Sequence, residues 1–463
     1  MKKMIIGLLV LCLVVVGILG LTNTKLRDNT DLQTEVSSDT AEPAENGEAT
    51  VNVIGGEDGT TMVTVSGEES AAAETTAEAE PAAEAEPAAE AEPAAETAET
   101  EEPAAEAAAT ASGRLDYEAL YSRYAPDEKI LKVNEKEESW GDYFYILFTQ
   151  CGQIEDYFNS MKAYYGMVFG WNDPIEESSE ETFAEAALES ADNLMVQLGA
   201  LEAFAEENGV EVSEEMRSMI EAQKQQDIIS ALGEEGTEEA FLEYLAQIHL
   251  SAEMYDRIVT QNYLYQESFN KLYGENAEKM SDEAAMKYLE DNGYVSAAHI
   301  LLMNSDPETR EALDEDALAE KKAELEAILD ELRAIEDPQE RKEAFLQKMT
   351  EVSEDTGSSY YPEGYTYTAG TMVPEFEEAV DALEEYAISD IVETSYGYHI
   401  IMRTPLSPDA IVEYNSSTGA ARTARMLAAN QEYGEKLQAT ADATTLEWLS
   451  GYEKPDLMSY VAE

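Results

Sequence analysis

Two cysteines, three histidines and only 28 basic side chains against 99 acidic ones are what this 463-residue chain most conspicuously lacks. The resulting formal charge of -71 makes nucleic acid and anionic lipid surfaces poor partners and selects, weakly, for cationic ones. Cys12 and Cys151 offer no disulfide framework, so stability must come from packed helices and sheet. A third scarcity is local: residues 29–113 contain no aromatic side chain. That stretch is built from Ala, Glu, Pro, Thr and Ser, with a six-residue repeat over residues 77–96, a composition that cannot bury a core. Pro81, Pro87 and Pro93 interrupt any helix before two turns form. It reads as a disordered acidic spacer that would reach on the order of 250 Å if extended at about 3.1 Å per residue. A tail without mechanical purpose has the same composition.

Before the spacer, Lys2 and Lys3 precede an uncharged run over residues 4–21, close to the minimum length that crosses a bilayer as a helix. An Ala-x-Ala cleavage site is missing, which favours an uncleaved anchor over residues 1–28 rather than a removed signal peptide. Cys12 follows Leu11 and lies inside the apolar run, which argues against a lipoprotein. The chain is therefore expected to sit in the cell membrane by one N-terminal helix, with its bulk extracytoplasmic.

Aromatic residues return at Tyr117. Residues 114–293 read as an all-helical domain. Tyr143, Leu147, Cys151 and Ile154 recur at helical intervals, with Phe144, Phe148 and Tyr157 beside them. A second helix is predicted from Ser178, with Glu181 completing a capping box, to Asn208 and Gly209. Further helix starts are predicted near Ser213, Thr237, Ser251 and Ser281.

After Gly293 the period changes. Over residues 294–405 a strand in VSAAHILLMN is followed by two charged helices, at residues 315–335 and 339–352, and a Gly, Ser and Tyr-rich loop. A short YTY strand, a helix in VPEFEEAVDALEEY and two strands at residues 391–393 and 398–404 complete an α+β segment with a predicted antiparallel sheet. In the closing stretch TSYGYHIIMRT, alternation puts Tyr396, Tyr398, Ile400 and Met402 on one face and Gly397, His399 and Ile401 on the other. A histidine in so apolar a strand is either a satisfied core residue or a functional one. Residues 406–463 carry Met426, Leu427, Tyr433, Leu437, Leu446, Trp448 and Leu449, consistent with C-terminal helices that pack back on the helical domain.

Four blocks of the α+β segment resemble the parvulin-type peptidyl-prolyl cis-trans isomerases, specifically exported foldases that add a helical chaperone domain. They are AAHILL with His299, VSEDTGSS with Asp355, GTMVPEFEEA with Met372 and Phe376, and YGYHII with His399, in family order from Val295 to Pro405. The resemblance implies a four-stranded antiparallel sheet whose first and last strands lie side by side at its centre, bringing His299 and His399 together. It implies catalytic roles for His299, Asp355 and His399 and a proline pocket floored by Met372 and Phe376, with Tyr367 and Tyr396 as further substrate-binding candidates. His249 matches nothing in the pattern and reads as structural. A carboxylate at Asp355 is expected to raise the pKa of the imidazoles near it.

Two departures stand out. YPEGYTY replaces the family's Gly-Gly-Asp-Leu-Gly turn, so Gly364 stands where a leucine commonly walls the pocket, with Tyr365 or Tyr367 available to cover the gap. The loop NSDPETREALDED holds one arginine among six acidic residues, against the basic cluster of phosphate-directed parvulins. Turning an X-Pro bond breaks no covalent bond and calls for neither metal nor cofactor. The sequence thus predicts a membrane-anchored isomerase that is not phosphate-directed, acting on unfolded or newly secreted polypeptides with X-Pro bonds. The alternative is a holdase whose parvulin domain binds peptide with little or no isomerase activity. Oligomeric state is not legible in the sequence.

Overall fold

The structure is a computed structural model that describes residues 50–55, 61–66, 113–176, 179–306, 309–415 and 419–462. The predicted anchor lies outside the described residues, as does most of the spacer. Within the spacer, β1 (Thr50–Gly55) and β2 (Thr61–Ser66) nevertheless pair antiparallel as a hairpin. The expectation of a wholly unstructured spacer is corrected there: the Val and Thr alternation on either side of GGEDG is a hairpin pattern that the surrounding Ala and Glu obscure.

The body begins with α1 (Tyr117–Tyr121), β3 (Lys129–Val133), β4 (Lys136–Ser139) and α2 (Trp140–Tyr165). Then follow α3 (Phe183–Glu207), α4 (Glu214–Leu232), α5 (Glu238–Gln247), α6 (Ala252–Tyr273) and α7 (Asp282–Asp291). Four of the predicted starts are real N-caps. The side chains of Ser213, Thr237, Ser251 and Ser281 each accept from the amide three residues on, satisfying one orphan donor of each helix. Ser178, predicted to form a box with Glu181, lies outside the described residues; the helix begins at Phe183, and a box is seen at Thr182 and Glu185, where the Thr182 amide donates to Glu185 Oε2 at 2.9 Å and the Glu185 amide to Thr182 Oγ1. Glu181 is part of an extended approach, its carbonyl accepting from Ile175.

The body divides into two units. One comprises residues up to 128, 143–194 and 453–463. In it Phe158, Phe169, Trp171 and Phe183 pack edge to face and stacked, with centroids 4.9 to 6.3 Å apart. Beside them Tyr164, Tyr165, Met167 and Val168 are exposed.

The other unit comprises residues 129–142 and 195–452. It is not all-helical outside the isomerase-like segment: β3 pairs with β4 and with β11 (Leu446–Trp448), a strand from the far end of the chain. The tail is likewise not simply helical. It holds a hairpin, β9 (Ile411–Asn415) with β10 (Ala420–Thr423), then one long helix, α11 (Ala424–Ala443), before β11. Tyr433 of α11 is fully buried among Phe204, Tyr265 and Phe269, with ring centroids 4.9 to 5.7 Å away. Arg425 ties the start of α11 to Asp282 Oδ1 at 2.6 Å and to the Met280 carbonyl.

Between α7 and the tail lies a compact α+β module: β5 (Tyr294–Met303), α8 (Glu315–Arg333), α9 (Pro338–Val352), β6 (Tyr365–Thr368), α10 (Pro374–Asp381), β7 (Val392–Glu393) and β8 (Gly397–Thr404). Its four strands form an antiparallel sheet in the order β6-β5-β8-β7. β5 and β8, the first and last strands of the module, are the central pair. Strand alternation sends Ala298, Ile300, Leu302, Ile400 and Met402 to one face, against Leu325, Leu329 and Leu332 of α8 and Phe345 and Met349 of α9. Ala297 and Ile401 go to the other face, with Tyr367, Phe376 and Val380. Covering one face with two helices and the other with the short α10 leaves the second face as the one that can carry a site.

Candidate active site

His299 and His399 both point to the α10 face. In the β5–β8 register His299 pairs with Ile401, and Leu301 with His399, so the two imidazoles are diagonal neighbours. Their ring centroids are 5.2 Å apart and their planes 78° from parallel. Phe376, only 2% exposed, stands edge-on to both, at 5.3 Å from His299 and 6.0 Å from His399. Tyr367 is 6.2 Å from Phe376 and buried, and its hydroxyl has no hydrogen-bond partner among the described residues. Met372 packs half-buried on the same apolar cluster. It precedes α10 rather than lying in it, because Pro374 sets the first turn. Even so, the pairing of Met372 with Phe376 in one cluster stands.

Asp355 arrives from the loop after α9. Its Oδ1 accepts from the Gly357 amide at 2.9 Å, closing a one-turn 3-10 helix. Its Oδ2 accepts from His299 Nε2 at 3.0 Å and from the Tyr365 hydroxyl at 2.6 Å. Burial pushes this carboxyl up, but the donors from His299, Tyr365 and Gly357 outweigh it and hold the group down at about 2. An ionised carboxylate can only accept, so Nε2 of His299 carries a proton, while its Nδ1 is buried and without a partner among the described residues.

His399 departs from the sequence expectation. Burial, reinforced by His299, pushes it down to about 4, and the opposing pull of Asp355 is too weak to raise it. Desolvation wins because the ring is nearly inaccessible and the carboxylate touches His299 instead. Its Nε2 lies 2.8 Å from Thr394 Oγ1, which also accepts the Tyr396 amide. Thr394 and the Tyr365 hydroxyl are the functional contacts that sequence reasoning did not assign; the one signal for Thr394 was its place five residues before His399. Tyr396 itself is 59% exposed, on the turn before β8 and outside the strand alternation expected of it.

Gly364 has φ of +98°, and a Cβ there would fall 2.5 Å from the Ala297 carbonyl oxygen and 2.8 Å from its carbon. The backbone of the loop lies directly on β5, so no leucine fits where the family turn has one. Among the described residues no group of three or more His, Cys, Asp or Glu side chains could hold a metal ion.

The arrangement is an apolar aromatic floor beneath two buried imidazoles, one of them held by a fixed carboxylate. Such a site suits a reaction in which no bond breaks, and defines a parvulin-type isomerase domain. Residues 299–404 match the Rotamase family, the PPIC-type PPIASE domain; the chain carries a peptidyl-prolyl cis-trans isomerase domain of that type. The foldase protein PrsA of Oceanobacillus iheyensis is 33% identical over 132 residues, 28% of this chain and 36% of the relative. The foldase protein PrsA of Halalkalibacterium halodurans is 30% identical over 174 residues, 36% and 45% of the two chains. The aligned part thus spans less than half the length of these relatives. The crystal structure of PrsA from Bacillus subtilis is 18% identical, covering 59% of this chain and 92% of that one, with a TM-score of 0.22.

Proposed function

We propose that this protein is an extracytoplasmic, membrane-anchored peptidyl-prolyl cis-trans isomerase that assists the folding of secreted polypeptides. The observation that carries this reading is the convergence of His299, His399, Asp355 and Phe376 on one face of the module's sheet. The uncatalysed barrier of about 18–20 kcal/mol comes from partial double-bond character in the amide. A proline ring on Met372 and Phe376 would be gripped by apolar contact, with Tyr367 at its edge, while water is kept from the amide. The twisted amide loses conjugation, so its charge separation falls and an uncharged, dry surround favours it over the planar form. The low pKa of His399 keeps that ring uncharged, and the charge of Asp355 is taken up by its hydrogen bonds with His299, Tyr365 and Gly357. Exposed Tyr396, at the turn that leads into β8, would meet substrate residues flanking the proline.

The acidic loop after β5, with Arg310 as its single cation, supports a substrate without phosphate. The relatives named foldases support secreted clients, and the apolar residues 4–21 support the membrane anchor. The test is cis to trans conversion of an unphosphorylated X-Pro peptide by the full chain. Acceleration, equal or greater than for the phosphoserine version, is expected; absence of any acceleration ends the isomerase reading.

A holdase function is favoured by one separate observation, the exposed Tyr164, Tyr165, Met167 and Val168 of the first unit, at 81, 72, 46 and 62% exposure. Contiguous apolar exposure of that kind marks an interaction surface. Suppression of client aggregation by a His399→Ala and Met372→Ala double variant, undiminished from wild type, separates holding from isomerisation.

A further inference from the structure

We propose that Tyr365 is a positioning residue for the isomerase: its hydroxyl pins Asp355 Oδ2 where that oxygen accepts from His299, and so fixes the tautomer of the imidazole facing the reacting amide. The inference deepens the isomerase reading and rests on it for its kinetic arm.

A capping aspartate needs only one oxygen. Asp355 caps its 3-10 turn through Oδ1 and the Gly357 amide, which leaves Oδ2 free of any duty in the turn. That second oxygen takes two further donors, His299 and Tyr365, and both lie on the site side. With all three donors in place the carboxylate cannot rotate without breaking a charge-assisted hydrogen bond. Without the hydroxyl, only the His299 contact would restrain Oδ2, so the carboxylate could turn away from Nε2 and release the proton on His299 to Nδ1.

The seat for the hydroxyl is built by two glycines. Gly364 is pressed on the backbone of β5, and this close approach starts β6 with Tyr365 paired to Ala297, next along the strand to the His299 layer. Gly357 makes room for the phenol itself: a Cβ at 357 would fall 2.1 Å from Tyr365 Oη and 3.2 Å from Asp355 Oδ1. The ring is held from behind by Tyr361, at 4.7 Å between centroids, and lies 5.6 Å from that of His299. Burial and the neighbouring carboxylate push the phenol far above its usual range, so the hydroxyl remains a donor throughout the working pH range.

The experiment compares full-length wild type, Tyr365→Phe, Asp355→Asn and the double variant, by kcat/KM for the X-Pro peptide and by the imidazole 15N spectrum. Three histidines in the chain make that spectrum readable. Tyr365→Phe is expected to lower kcat/KM about tenfold, the size of one lost charge-assisted hydrogen bond, and to draw the two His299 nitrogen shifts together as the tautomers mix. The double variant is expected to be no slower than Asp355→Asn alone, because the tyrosine acts through the aspartate. Gly357→Ala, which keeps the hydroxyl but displaces it, should reproduce the spectrum of Tyr365→Phe and serves if the latter folds poorly. Unmoved His299 shifts in both single variants, or losses that multiply in the double variant, overturn the proposal. A wild type that accelerates nothing refutes the isomerase reading instead, and the spectra alone then decide the role of Tyr365.

Discussion

The imidazole of His299 stands edge-on to that of His399 at 5.2 Å because β5 and β8 are neighbours in the sheet, offset so that Leu301 rather than His299 is the direct partner of His399. The diagonal spacing leaves both rings on the face that carries Phe376 and keeps each attached to its own partner, Asp355 for one and Thr394 for the other.

The burial of His399 gives the fold a definite response to acid. His399 titrates at about 4 in the folded chain against about 6.5 when unfolded. Between those values the unfolded chain binds more protons, so stability falls as pH drops through that window, by up to about 3 kcal/mol. Asp355 behaves as a depressed carboxylate: its contribution is present above about 3.8 and lost as pH falls toward about 2. Urea midpoints at pH 7 and 4.5 should differ in wild type, and the difference should shrink in His399→Asn. A midpoint independent of pH in wild type contradicts a buried neutral His399.

Met372 and Phe376 should separate when each is cut to alanine. Phe376 is core to the module as well as floor to the site, so Phe376→Ala should cost about 3–5 kcal/mol and much of the activity with it. Met372 is half-buried, so Met372→Ala should cost about 1–2 kcal/mol while kcat/KM falls about tenfold or more. Peptide turnover and thermal melts on the same samples decide the matter; a Met372→Ala variant with wild-type turnover places the proline elsewhere.

Restoring a leucine at 364 should harm the protein. A left-handed φ with a side chain costs about 1–2 kcal/mol, and the contact with Ala297 is with backbone, which cannot give way. Gly364→Leu is therefore expected to lower stability by about 2 kcal/mol or more, seen as a shifted denaturation midpoint. A neutral substitution would mean that the loop can lift off β5.

Tyr433 should be among the costliest residues to truncate in the second unit. It is fully buried, touches four aromatic rings and donates to the Tyr265 carbonyl at 2.8 Å. Tyr433→Ala should cost about 3–5 kcal/mol and Tyr433→Phe about 1 kcal/mol, measured by denaturant unfolding of the full chain.

The sheet of the module and the histidine pair were legible because rare residues fell in strongly alternating strands, where period fixes which face each side chain takes. The caps at Ser213, Thr237, Ser251 and Ser281 were legible for the same local reason. Thr182 was missed because two Ser/Thr-x-x-Glu patterns follow one another directly, at residues 178–181 and 182–185, and the extended pairing of Pro174 with Thr182 favours the second. The β3–β4–β11 sheet was hidden because LEW is three residues long and its partner KILKV lies at the other end of the unit. The lowered pKa of His399 and the grip of Tyr365 on Asp355 depend on burial and on the space two glycines leave, quantities that spacing along a chain does not encode.

Arg425, reaching back to Asp282 and Met280 across the whole isomerase module, sets an order on biogenesis. A chain made from its N-terminus delivers α6 and α7 long before α11, so the aromatic nest around Tyr433 cannot be completed until the whole module between them has been made. Long-range closure of this kind slows folding and lengthens the time for which greasy surface stays open to solvent.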